Sequence, residues 1–259
     1  MDQLVAAELA RADRADLLPR LGGMARPNGV VIVSEHYWAF ATRDGELHEG
    51  EMPRRQGVAA RIPLVRGLMQ LTASLAPLVR GRGVAGGRER LVLLAAILIP
   101  LALVALPSRL ELVAGLVTTV AILAWLFRGR TLRLHGAEHR AIAAAEARAL
   151  QATWSGAARP TRFSPRCGTN FAALALPVTA VFDRLVPSFV TPAFTGVFVA
   201  VLSIAITMEL WKAVQHPSGL LRGLLLPGLA LQRLTTREPE LADTQVALRA
   251  VASVLRREL

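Results

Sequence analysis

The chain has 259 residues, 53% of them hydrophobic, and a formal net charge of +11 carried almost wholly by arginine, with Lys212 its single lysine. So apolar a composition argues against an ordinary hydrophilic domain. The basic residues flank apolar runs and are not interleaved with aromatics, so no nucleic acid is expected as a partner. The lone cysteine, Cys167, excludes an intramolecular disulfide.

The opening "MDQLVAAELARADRADLLPR" alternates charge and lacks the apolar core of a secretory signal. From Gly29 to Glu51, β-branched and aromatic residues followed by the turn signal "RDGE" predict a small β-hairpin or meander. In "RIPLVRGLMQLTASLAPLV", Ile62, Val65, Leu68, Met69, Leu71 and Leu75 recur at near-helical spacing. Arg61 and Arg66 stand at the polar edge, which predicts an amphipathic helix on a membrane surface from Ile62 to Val79.

Four apolar runs follow: Leu91–Leu106, Leu112–Phe127, Gly168–Phe182 and Phe194–Trp211. Each approaches the roughly 20 residues of a spanning helix, and Pro100 and Pro177 predict kinks. Arginines crowd the segments before Leu91 and from Arg128 to Arg166, whereas the connectors near Ser108 and Pro187 hold one each. The positive-inside rule then sets both termini and the central loop in the cytoplasm. Leu220–Gln232, short and broken by Gly and Pro, predicts an interfacial or re-entrant helix, and "TTREPELADTQVALRAVASVLRREL" a polar terminal helix.

The predicted fold is a mainly α, polytopic protein of the cell membrane with about four transmembrane helices and a small N-terminal cytoplasmic β-hairpin region. Its divisions are residues 1–90 (hairpin plus interfacial helix), 91–127 (first transmembrane hairpin), 128–167 (cytoplasmic loop), 168–211 (second transmembrane hairpin) and 212–259 (interfacial segment and terminal helix). A soluble all-α protein with buried helices is the alternative.

The stretch "LHGAEHRAIAAAE" carries the chemistry. On a helix, His135, Glu138, His139, Ile142 and Glu146 fall within an arc of roughly 100°. Imidazoles at i and i+4 can hold one metal ion, and H-x-x-E-H is the inverzincin order, which makes Glu138 a general base. Glu146 lies about 10 Å beyond His139 along the helix, too far to share an ion with both histidines. It reads as an outer partner or as part of another polar contact. Cys167, in "RFSPRCGTNF", is the candidate third ligand, and a thiolate beside two imidazoles suits zinc. Against this stands a plain reading, in which Cys167 is a packing residue and the stripe a polar network.

"HGAEH", "PRCGT" and "PGLALQRLTTREPE" resemble the YqhQ-like family of bacterial membrane proteins, described as predicted metal-dependent enzymes. "GGMARPNGV", "RIPLVRGLMQL" and "MEL" are similar to family segments too, so the resemblance covers almost the whole chain. It implies four spans with cytoplasmic termini and attaches the metal role to His135, Glu138, His139 and Cys167. Glu146 matches a position typically glutamate in the family. Ser164 stands where the family usually has histidine. If that histidine is a ligand, water or another group replaces it here.

Two functions follow as expectations. One is a metal-dependent enzyme, a hydrolase acting at the bilayer on a small-molecule or lipid substrate. The other is a non-catalytic membrane scaffold or transport-related protein with a structural metal or a polar network. Self-association is left open.

Overall fold

The structure, a computed structural model, describes residues 2–53, 61–81, 83–103, 110, 113–114, 117–118, 121, 129–186, 192–215 and 220–259. Four strands, β1 (Gly22–Arg26), β2 (Gly29–Val33), β3 (Tyr37–Thr42) and β4 (Leu47–Glu51), form an antiparallel meander in chain order. The central strands are rich in β-branched and aromatic residues, which suit a pleated, buried surface. Pro27 and Asn28 close the first turn, because Arg26 pairs with Gly29. Gly45, at φ +91°, supplies the left-handed residue of the predicted "RDGE" turn.

Alternation along the strands splits the sheet between two cores. Val30, Ile32, Ala39 and Ala41 point to one face, and Val31, Trp38 and Phe40 to the other. The first face is covered by α4 (Gly129–Glu146) and the terminal helix α9 (Leu241–Glu258), with α1 (Asp2–Asp13) and α5 (Leu150–Trp154) beside them. Each fully buried aliphatic here, such as Ile32 or Leu248, contributes about 1.5–3 kcal/mol. The second face packs on Met52, Leu78 and Val84. Leu78 belongs to α2 (Val65–Arg80), and Val84 precedes α3 (Gly87–Leu103).

The terminal helix is more deeply buried than its polar sequence suggests. Val246, Ala247, Leu248, Ala250, Val251, Val254 and Leu255 form its core face, while Arg249 and Arg256 pair at the rim with Asp2 and Glu49. A capping box between Glu240 and Asp243 starts it. At its far end Glu258 accepts hydrogen bonds from Ser34 Oγ (2.6 Å) and the His36 N–H (3.2 Å), tying the last turn to the sheet.

A second layer holds α6 (Gly168–Leu185), α7 (Pro192–Val214), a 3-10 turn (Leu220–Leu225) and α8 (Leu226–Thr235). Leu174, Val214 and Leu225 are its core, joined by Leu210, Trp211 and Leu229. Helix α8 crosses α6 so closely that a Cβ on Gly228 would lie 2.2 Å from Asn170 Oδ1.

The expectation of about four spans is corrected here. Among the described residues one helix, Phe194–Val214, is long and apolar enough to cross a membrane. The physical reasons differ by segment. Helix α3 begins with Arg88, Glu89 and Arg90 and spans 17 residues, and α6 carries Asn170, Asp183 and Arg184 within 18. Most of the expected second span, Leu112–Phe127, and the connectors near Ser108 and Pro187 lie outside the described residues. The helix expected on a membrane surface, α2, packs partly on protein. Gly67 meets Met208 of α7, Arg66 pairs with Glu209, and Ala73 and Leu78 are buried, while Ile62, Val65, Leu75 and Val79 stay exposed.

Candidate metal centre

The alanine-rich sequence from Gly129 to Glu146 folds as the helix α4, and this makes its spacing a geometry. His135 and His139 lie one turn apart with ring centroids 4.4 Å from one another. Cys167, the residue that caps α6, brings its sulfur to them, with Sγ 3.3 Å from His135 Nε2. One ligand atom from each of His135, His139 and Cys167 lies within 4.8 Å of the other two. These are the three residues that the sequence proposed as ligands.

Both imidazoles are oriented from behind. His135 Nδ1–H donates to the Thr235 carbonyl at 2.8 Å, and His139 Nδ1–H to the Arg162 carbonyl at 2.7 Å. A ring that donates from Nδ1 keeps its lone pair on Nε2, and in His135 that atom lies 3.3 Å from the Cys167 sulfur. His139 is 2% exposed and its Nε2 has no hydrogen-bond partner among the described residues. A buried polar atom left unpaired costs about 1–3 kcal/mol, a cost that a bound cation would relieve. The sulfur accepts from the Thr169 N–H at 3.4 Å, at the start of a helix whose dipole favours negative charge.

The chain that carries Cys167 is held by side chains distant in sequence. Gln232 accepts from the Ser164 N–H at 2.9 Å and donates to the Ser164 carbonyl at 2.8 Å, and Asn170 donates to that carbonyl at 2.9 Å. The Ser164 hydroxyl, at the position where a histidine was expected, accepts from the Arg166 N–H at 3.2 Å. It braces the turn that leads to Cys167. Arg140 and Arg162 both donate to Glu238, joining α4, this loop and the chain leading into α9.

Glu138 and Glu146 sit outside the triad. Glu138 is 5% exposed, its carboxylate beside Gly23 of β1 and accepting from the Ala25 N–H. Burial pushes its pKa up to about 7, against the opposing pull of His135 and of that N–H. It therefore exchanges a proton near neutrality. Glu146 pairs with Arg166, the residue before Cys167.

Sequence reasoning missed Gly23, Thr169, Gln232 and the Thr235 and Arg162 carbonyls. The quoted segments "GGMARPNGV" and "PGLALQRLTTREPE" contained some of these residues without showing what they touch. No curated protein and no solved structure matches the chain, so the YqhQ-like resemblance stands on its motifs. Residues 92–257, more than half of the chain, match the model of a family described as a protein of unknown function, DUF1385, and the chain belongs to that family.

Proposed function

We propose that the chain binds one divalent metal ion, zinc fitting best, through Nε2 of His135, Nε2 of His139 and Sγ of Cys167, and that it is a metal-dependent enzyme of the hydrolase class. The observation that carries this reading is the convergence of three ligand atoms within 4.8 Å, beside a buried His139 Nε2 that has no hydrogen-bond partner among the described residues. Two nitrogens and a sulfur suit zinc. Three protein ligands among the described residues match the open form of catalytic sites, where structural sites close with four. The chemistry such an ion supplies is Lewis acidity. The chain's own residues do the rest: the Thr235 and Arg162 carbonyls fix the imidazoles, His139 and Cys167 are buried while His135 stays partly open, and Glu138 holds or releases a proton near neutral pH. The substrate is a small molecule or a lipid met at a bilayer, because the layer that carries Cys167 is apolar on its outside.

A non-catalytic reading has one observation in its favour. Glu138 accepts the Ala25 N–H and packs on Gly23, which is also how a purely structural carboxylate would clamp a helix to a strand.

Elemental analysis of protein purified without chelator tests the centre. About one zinc per chain is expected, falling to background in the His135→Ala/His139→Ala double variant. Cobalt-substituted protein should show a thiolate charge-transfer band that Cys167→Ser removes. Glu138→Gln should keep the metal and lose turnover on ester and phosphoester panels. A wild-type protein that carries no metal and takes up none would end the enzyme reading, and loss of metal in Glu138→Gln would make that carboxylate a ligand.

A further inference from the structure

Between the segment after α1 and the end of α4 lies a cleft of about 260 Å³ whose charged residues are Arg20, Arg148, Arg166 and Glu146. Three guanidinium groups face one carboxylate, so the lining carries an excess of positive charge. The arginines differ in what occupies them. Arg148 donates to the Ala12 and Asp16 carbonyls at 3.0 and 3.1 Å, and Arg166 pairs with Glu146. Arg20 has no hydrogen-bond or ion-pair partner among the described residues, and it lines the same cleft as Arg166. Two guanidinium groups lining one cleft favour a ligand that neutralises both. The remaining lining is apolar, including Leu17, Leu18 and Ile142.

We propose that this cleft is an anion subsite that takes the phosphoryl group of a phosphate ester, with Arg20 and Arg166 holding the oxygens and the apolar wall receiving the ester's carbon portion. Guanidinium matches a phosphoryl group bidentately, and a charge-assisted hydrogen bond is among the stronger polar contacts. Placement ties the cleft to the metal centre. Ile142 and Glu146 continue the face of α4 that carries His135 and His139, and Arg166 immediately precedes Cys167 in the chain. Glu146 is seven residues from His139, about 10 Å along the helix, a span that one substrate can bridge. That the bound ester is the enzyme's substrate rests on the metal-centre reading, whereas binding at the cleft does not.

Calorimetric titration of the full chain tests the subsite, with inorganic phosphate and, separately, dihexanoyl phosphatidic acid at one fixed ionic strength. Saturable binding is expected, about tenfold weaker in Arg20→Gln and in Arg166→Gln. Glu146→Gln should bind more tightly, because it frees Arg166 and removes the opposing charge, a gain that misfolding cannot imitate. Tighter binding of phosphatidic acid than of phosphate assigns the ester to a lipid, and equal binding assigns it to a soluble phosphoryl compound. Zinc content is measured on the same samples. A metal-free protein with this pattern of variants keeps the subsite and discards the metal centre. No saturable binding of either probe by folded wild-type protein, or affinities unmoved by Arg20→Gln and Glu146→Gln, would overturn the subsite.

Discussion

Gly23 determines where Glu138 can sit. A Cβ at Gly23 would lie 2.8 Å from Glu138 Cγ and 2.8 Å from the Val31 carbonyl. The side chain would have to move and the strand pairing would have to give. Gly23→Ala should therefore lower stability by about 1–3 kcal/mol, read by chemical denaturation. Gly87→Ala, where nothing lies within 4 Å of the added Cβ, should leave stability within a few tenths. Equal stability of Gly23→Ala and wild type would remove the glycine from the account of the site. The same residue shows how far the sequence could be read at this scale. The i, i+4 histidines and the lone cysteine were legible because each residue type has its own chemistry and the helix fixes the spacing. Helical spacing put Glu138 on their face, but an arc of 100° is wide enough to serve two neighbours. The structure turns this carboxylate toward β1. The carbonyls of Thr235 and Arg162 were illegible, since a main-chain acceptor leaves no mark in the sequence.

Elements were legible where one period dominates. The β-branched and aromatic run with its "RDGE" turn gave strands β2 to β4, whereas the glycines of β1 resemble turn punctuation. Helix α9 was read as polar because five charged residues and the Asp-Thr-Gln start outweigh the Val and Leu positions of its inner face. Its buried face nonetheless holds the helical layer to the sheet. Leu248→Ala should cost about 2–5 kcal/mol by denaturant titration, and a loss below 1 kcal/mol would show that α9 is dispensable to the core. The link between α4 and the chain entering α9 adds a pH dependence. Arg140 and then Arg162 hold the Glu238 carboxyl below its usual range, against a lesser penalty from its burial. A carboxyl depressed in the folded state contributes stability above its unfolded pKa of about 4.3 and loses it as pH falls through the lower folded value. Glu238→Gln should thus reduce stability at pH 7 and flatten the decline below about pH 4. Glu238 is largely exposed, so salt should weaken the effect. An unchanged acid limb in the variant would assign the decline to other carboxylates.

At the scale of the whole molecule, the two layers meet the outside differently. On α6 and α7, Leu176, Val181, Leu185, Phe194, Val197, Phe198 and Val201 stand exposed, and α8 adds Leu226, Leu231 and Leu234. The four-span reading treated all apolar runs as equivalent. They part company through buried Asn170 and the charges ending α6, which leave α7 as the one helix fit to cross a membrane among the described residues. Only 33% of that stretch is buried, so much of its apolar surface is uncovered among the described residues. We therefore expect the protein to partition with membranes through this layer, with His135, His139 and Cys167 where the start of α6 meets α4. Expressed full-length chain should sediment with the membrane fraction, resist extraction by high salt and enter solution with detergent. Phe198→Lys/Val201→Lys, two charges on the outward side of α7, should shift it toward the supernatant or into aggregates. The cost of a lysine at mid-bilayer, about 2.5–3.5 kcal/mol, is large enough for two to be felt. Zinc content separates loss of membrane contact from loss of fold, because the triad's ligands lie outside this surface. Wild-type protein that stays in the supernatant without detergent would mean that this apolar layer is covered by protein, not lipid.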